Sequence, residues 1–273
     1  MKKFLSFLLT ASLLFSPQSF PEIQGSNIQG ASIQASSETS SFSPDEFSGL
    51  IAWYDLNDPS TLFESTDDTD PAELGDTIGF FKDKSSNANH FTQATASNRP
   101  VYTDSVINDK PGLFFDGIAD SMVDSSASGV DGLSGFTLYI VANRAFSSSN
   151  RGLYEIGSAS IRVISVPGNG NYTCGVTTSA FVSGARSFGT IDLFYVRKCT
   201  YDGANIRWYF QGTNDTDPQT GTTASASDID LGIASGFARW HGYVLEIILY
   251  NRALTDAEQN TVESYLSAKW RAA

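Results

Sequence analysis

The sequence predicts an all-β chain: an antiparallel two-sheet jelly-roll sandwich with a short C-terminal helix and an extended N-terminal arm. Three observations predict it. From Ser48 onward, short apolar runs are cut repeatedly by Gly, Asn and Asp. Ile206-Arg-Trp-Tyr-Phe-Gln211 and Ile161-Arg-Val-Ile164 set polar residues between apolar ones, as half-buried strands do. Helical periodicity stands out in one stretch, at the C-terminus. The 273 residues, 41% of them hydrophobic with 19 Phe, 11 Tyr and 4 Trp, suffice for one large β domain and a tail.

Residues 1–20 form an apolar N-terminal segment. Met1-Lys2-Lys3 followed by Phe4 to Phe15 is too short to span a bilayer and has the length of a secretory signal. Ser16 to Pro21 lacks a clean small-residue cleavage pattern, so a signal peptide and an assembly anchor are both open. Residues 21–47 form a linker or arm. Glu22-Ile-Gln-Gly-Ser, Asn27-Ile-Gln-Gly-Ala and Ser32-Ile-Gln-Ala-Ser repeat every five residues, a period of neither helix nor strand, and a Ser-rich stretch follows.

Residues 48–273 are the main domain. Strands are expected at Gly49–Tyr54, Thr77–Phe81, Gly112–Phe115, Phe136–Ala142, Gly152–Ile156 and Ser160–Ser165. Others follow at Tyr172–Thr177, Asp192–Tyr201, Asn205–Gln211 and Gly242–Tyr250. The turn signal Tyr201-Asp-Gly-Ala204 joins two of them into a hairpin. Thr255-Asp-Ala-Glu258 is a capping box, and Val262, Tyr265, Leu266 and Trp270 mark one face of the helix behind it, expected to pack on the sandwich edge.

Composition limits function. Acidic residues outnumber basic ones 30 to 17, a net charge of -13 that repels phosphate backbones and argues against nucleic acid as a partner. Two His and two Cys, without CxxC or HExxH spacing, are too few for a zinc centre. Cys174 and Cys199 fall in two expected strands and can bridge in an oxidising setting; two separate buried thiols are the alternative.

Trp240-His-Gly-Tyr-Val-Leu-Glu-Ile-Ile-Leu-Tyr-Asn-Arg-Ala-Leu-Thr-Asp-Ala-Glu258, running on to Trp270, resembles the closing segment of bacterial and phage concanavalin A-like, laminin-G-like domains. Gly49 to Asp55, the Asp83–Asn89 loop through Phe114-Phe-Asp-Gly117, and Tyr201-Asp-Gly203 with Trp208–Gly212 agree with it. The likeness covers about Ser48 to Trp270 and implies the jelly-roll fold. The loop at Lys84-Ser-Ser lacks the Ser-Gly-x-Gly often seen in the family.

Hydrolases that share this architecture carry Glu-x-Asp-x-x-Glu on a strand, and no such run occurs here. Glu246 is followed by Ile248 and Leu249; Asp228/Asp230 and Asp215/Asp217 sit in turn-rich surroundings, so no catalytic residue is expected. His241, between Trp240 and Gly242, reads as structural. Calcium is the one cofactor the loops suggest, with Asp116, Asp120 and Asp124 as ligand candidates, since it needs six to eight loop oxygens. Glycan binding needs an aromatic platform beside amides or carboxylates; Trp53, Trp208 and Trp240 read as core, leaving His90 with Asn89 and Tyr172 with Asn171 as better exposed candidates. The expected function is non-enzymatic surface binding. Two settings suit it, a virion-associated protein (tail fibre, adhesin or capsid decoration) or a secreted lectin-like protein; a glycoside hydrolase with an unrecognised acid pair is the alternative to it. Expected partners are a cell-surface or other glycan, further virion or surface subunits through the arm, and copies of the chain itself, with no transmembrane span.

Overall fold

The structure, a computed structural model, describes residues 42–145, 149–157, 160–165, 172–178, 181–186, 194–210 and 213–270. The apolar segment and the Ile-Gln-Gly repeat lie outside these residues. The strands in chain order are β1 (Leu50–Asp55), β2 (Leu62–Phe63), β3 (Phe80–Phe81), β4 (Phe91–Thr92), β5 (Val101–Ile107) and β6 (Lys110–Asp116). Then come β7 (Met122–Asp124), β8 (Phe136–Ala142), β9 (Arg151–Ile156), β10 (Ile161–Ser165), β11 (Tyr172–Thr177) and β12 (Phe181–Arg186). The chain closes with β13 (Tyr195–Tyr201), β14 (Asn205–Phe210), β15 (Thr213–Pro218), β16 (Ile229–Leu231), β17 (Ala238–Arg239), β18 (His241–Tyr250) and the helix α1 (Asp256–Trp270).

The described strands build two sheets. The first runs β15-β14-β13-β8-β18-β6-β5, with β1 sharing one side of β18 with β6. The second runs β12-β11-β10-β9-β16-β7-β4-β3-β2. Pairing is antiparallel throughout the described residues except where β17 lies parallel to β9. The nearly all-β, two-sheet sandwich with one C-terminal helix is the fold that the alternation and turns indicate.

Tyr54, Phe81, Phe91, Phe115, Phe136, Tyr154, Trp208 and Trp240 pack with the aliphatic residues of both sheets into one core. The β13–β14 hairpin follows directly from its turn. Gly203 sits at φ 84°, and the Asp202 carboxylate accepts from the amides of Ala204 (2.9 Å) and Asn205 (2.7 Å). Cys174 on β11 and Cys199 on β13 are joined by a disulfide across the two sheets, with Cα atoms 6.4 Å apart.

Strand β8 is buried at every position, and its unbroken run Phe-Thr-Leu-Tyr-Ile-Val-Ala has the reason: both faces are covered. The sandwich core takes one face and α1 takes the other. Tyr139, Val141, Leu245, Ile248 and Tyr250 project outward from β8 and β18 to form a second apolar cluster with Val262, Leu266 and Trp270. The helix therefore lies on the outer face of the first sheet, not at its edge. Its capping box forms as the sequence indicates: Thr255 N donates to Glu258 (2.8 Å), and Thr255 Oγ1 accepts from Glu258 N (3.4 Å). Residues 42–47 join this layer, with Phe42 against Tyr265 and Tyr250 OH donating to Pro44 O at 2.8 Å.

Strands β5, β7, β12, β15 and β16 escape sequence patterning, as do the two-residue strands β2, β4 and β17. β15 reads Thr-Asn-Asp-Thr-Asp-Pro, a turn-like composition, yet it pairs over its full length with β14 at the sheet edge. An edge strand rich in acid and ending in Pro is a poor template for further pairing, which accounts for both its composition and its place.

Candidate functional site

The residues singled out in the sequence mostly serve the fold. Asn89 is 1% exposed: its Nδ2 donates to Ile51 O (2.6 Å) and Ser128 O (3.0 Å), and its Oδ1 accepts from Ser128 N (2.6 Å). Its amide is consumed in pinning two loops to β1, so it is not the exposed group expected. His90 is half-buried beside Phe80, and its Nδ1 accepts from Asp83 N at 3.0 Å. Tyr172 is 2% exposed, inside the sandwich and not the exposed ring expected, because it starts β11 facing inward. Asn171 lies outside the described residues.

The three calcium candidates do not converge. Asp116 Oδ1 accepts the amides of Ile118, Ala119 and Asp120 in a tight turn, which holds its carboxyl below the usual range despite partial burial. Asp120 accepts Asp116 N at 2.8 Å and is pushed up to about 6, chiefly by burial. Asp124 points into the core, and burial pushes its carboxyl up as well. Among the described residues no group of three or more His, Cys, Asp or Glu side chains is arranged to hold a metal ion.

Glu246 also has a structural task. Its carboxylate accepts from Trp53 Nε1 (2.8 Å), Tyr265 OH (2.9 Å) and Trp270 Nε1 (2.6 Å), and pairs with Lys269 Nζ (2.9 Å). Lys269 bridges to Asp55 (2.6 Å), and Lys84 reaches Asp55 (3.4 Å) and Asp58 (2.6 Å). No oxygen of Glu246 is left for a substrate.

A groove of about 720 Å³ opens between the outer face of the β13–β14 hairpin and α1. The hairpin alternation sends Lys198, Thr200, Arg207 and Tyr209 to this face while Cys199, Tyr201, Ile206 and Trp208 go to the core. Asp256, Asn260 and Glu263, from successive turns of α1, supply the other wall. Lys198 lies 3.8 Å above the Tyr209 ring centroid and pairs with Glu263; Arg207 pairs with Asp202. The groove thus interleaves cationic donors, carboxylate acceptors, an amide and a phenol ring. Such a lining suits a neutral ligand rich in hydroxyls, each of which both donates and accepts. The sequence carried half of this signal in the alternation of the hairpin; the wall from α1 is set only by packing.

On the opposite sheet, register brings together two acids far apart in sequence. Asp230 on β16 and Glu155 on β9 are direct cross-strand partners on the outer face. Burial, then Asp228 and Glu155, push Asp230 up to about 6. Glu155 is 1% exposed and engaged by the Ser235 amide and Arg162. The spacing of Asp228 and Asp230 pointed to one member of this pair and not to the other.

No family model and no curated protein matches the chain. Solved structures do match. The binding domain of botulinum neurotoxin serotype G superposes with a TM-score of 0.54 at 13% identity, over 68% of this chain and 49% of that one. A GH54 α-L-arabinofuranosidase soaked with a cyclic sulfate inhibitor gives 0.57 at 13% identity, over 81% and 63%. Domain 4 of AbnA, a GH43 extracellular arabinanase from Geobacillus stearothermophilus in complex with arabinotriose, gives 0.53 at 14%, over 78% and 98%. The chain spans about half of the toxin binding domain and under two thirds of the arabinofuranosidase, but nearly all of the arabinanase domain. At these identities the likeness establishes a shared β-sandwich fold.

Proposed function

We propose that this chain is a non-enzymatic glycan-binding protein of the concanavalin A-like, laminin-G-like type, and that the groove between β13–β14 and α1 takes the sugar. The observation that carries the reading is the groove lining: Arg207, Lys198, Asp202, Glu263 and Asn260 present alternating donors and acceptors beside Tyr209. The solved neighbours support it, since among them are a toxin binding domain and an arabinanase domain holding arabinotriose. We place the protein on a virion surface (tail fibre, adhesin or capsid decoration), with the 1–20 and 21–47 segments docking it to other subunits; a secreted lectin-like protein with a cleaved signal is the alternative. The disulfide between the sheets suits either extracellular setting.

A glycan array with the full chain tests the binding reading. Retention of a defined oligosaccharide, weakened about threefold to tenfold by Arg207→Ala or Asn260→Ala, is the expected result for one lost hydrogen bond. Binding that both substitutions leave untouched removes the groove from consideration. Mass spectrometry of the mature N-terminus separates the two settings: an intact Met1 excludes the secreted one.

A second reading, glycoside hydrolysis, rests on the Glu155–Asp230 pair, two acids set directly opposite each other on β9 and β16, one of which, Asp230, is pushed up to about 6 by burial. The engagement of both Glu155 oxygens weighs against it. Release of reducing sugar from any glycan, abolished by Glu155→Gln and Asp230→Asn, would establish this reading over the first.

A further inference from the structure

One end of the sandwich interior holds a cation that has no counter-charge among the described residues. Arg197, on β13, is 3% exposed. Its guanidinium carbon lies 3.6 Å from the centroid of the Tyr172 ring, and Nη1 donates to the carbonyls of Ala142 (2.5 Å) and Tyr195 (3.4 Å). Among the described residues no carboxylate pairs with it, and its Nε–H is buried without a partner. Burial, with the nearby Arg144, pushes the guanidinium down, yet an arginine does not lose its proton in a protein.

Three further polar atoms, on Tyr172 and on two residues beside it, are buried and unpartnered: Tyr172 OH, Ser165 Oγ and Trp240 Nε1. Ser165 and Tyr172 face each other in the β10–β11 register, and the Trp240 ring lies 5.9 Å from that of Tyr172. Tyr172, Ser165 and Trp240 are 2%, 0% and 0% exposed. Arg197 Nε–H and Trp240 Nε1–H can only donate, so whatever satisfies them must accept. A buried water meets the hydrogen bonds but leaves the charge uncompensated, and an unpaired buried charge is far more costly than an unpaired dipole.

We propose that this end of the interior is a binding site for one small monovalent anion, a carboxylate or a halide, held by Arg197, Tyr172, Ser165 and Trp240. The site is separate from the groove and does not depend on glycan binding there. An anion here locks β10 and β11 of one sheet to β13 of the other, on the same strands that the Cys174–Cys199 disulfide joins.

The test uses the full chain. Its melting temperature is followed as sodium acetate or sodium chloride replaces sodium isethionate at constant ionic strength, the two arms separating carboxylate from halide. A saturable rise of roughly 5 °C is expected for one of them, the size that mass action gives for a ligand at about 100 times its Kd. Arg197→Met, close in shape and uncharged, loses the response, and Trp240→Phe, which removes only the N–H, shifts its midpoint about tenfold. Independently of any variant, wild-type protein desalted from the favoured salt and then denatured releases one equivalent of the anion by ion chromatography. Release of none, with a melting temperature that follows ionic strength alone, means a site filled by water only and overturns the proposal.

Discussion

Trp270 donates its indole N–H to Glu246 at 2.6 Å, linking the last turn of α1 to the middle of the strand beneath it. Glu246 is the sole charge in the run Val-Leu-Glu-Ile-Ile-Leu, and it is 1% exposed. A carboxylate there is tolerable only because Trp53, Tyr265, Trp270 and Lys269 together satisfy both its oxygens. The pattern that invites a catalytic reading of this strand is instead the clamp that seats the helix.

Breaking the clamp is expected to be costly. Glu246→Ala leaves Lys269 and two indole donors buried without their acceptor, and should cost about 3–5 kcal/mol. Urea unfolding measures it. A cost under about 1 kcal/mol would show that the network is not holding the helix.

Asn89→Ala should cost about 3 kcal/mol, since the Ile51 and Ser128 carbonyls and the Ser128 amide lose their partner in a buried place. Glycan binding should be unchanged in the fraction that folds. A loss of binding at full stability would return Asn89 to the ligand site.

The disulfide closes a loop of 25 residues, for which the chain-entropy model gives about 3.5 kcal/mol. Cys174→Ala with Cys199→Ala should lower stability by that order. Alkylation of the urea-unfolded protein before reduction should modify neither cysteine, and labelling of both would contradict the bridge.

Asp230 gives a pH signature. Its folded pKa of about 6 lies above its ordinary 3.8, so its stability contribution is fully present below about pH 4 and is lost as pH rises through 6. Asp230→Asn should therefore raise the melting temperature at pH 8 and leave it unchanged near pH 3.5. An equal shift at both pH values would assign the effect to packing instead of charge.

Strand and turn chemistry were legible where the residues themselves carry it. Phe136–Ala142 and Tyr172–Thr177 begin and end where the apolar runs do, and Asp202-Gly203 specifies its hairpin through an Asx side chain and a positive φ. β12 and β15 were not legible, because their neighbours in the ladder impose extension on sequences with little preference for it. The same limit explains the sites. Asn89 lies in a polar loop and Tyr172 at the start of a strand beside polar residues, but exposure depends on which way a strand faces and which loop folds over it.

Period, turn chemistry and residue type within a few positions set the sandwich class, the closing helix with its cap, and the lack of any familiar catalytic or zinc motif. Packing and register decide that α1 lies on the first sheet, that Glu155 faces Asp230, and that Arg197, Ser165 and Trp240 each come to lie beside Tyr172. Each of these joins residues tens of positions apart, and only strand register and sheet packing fix such distances.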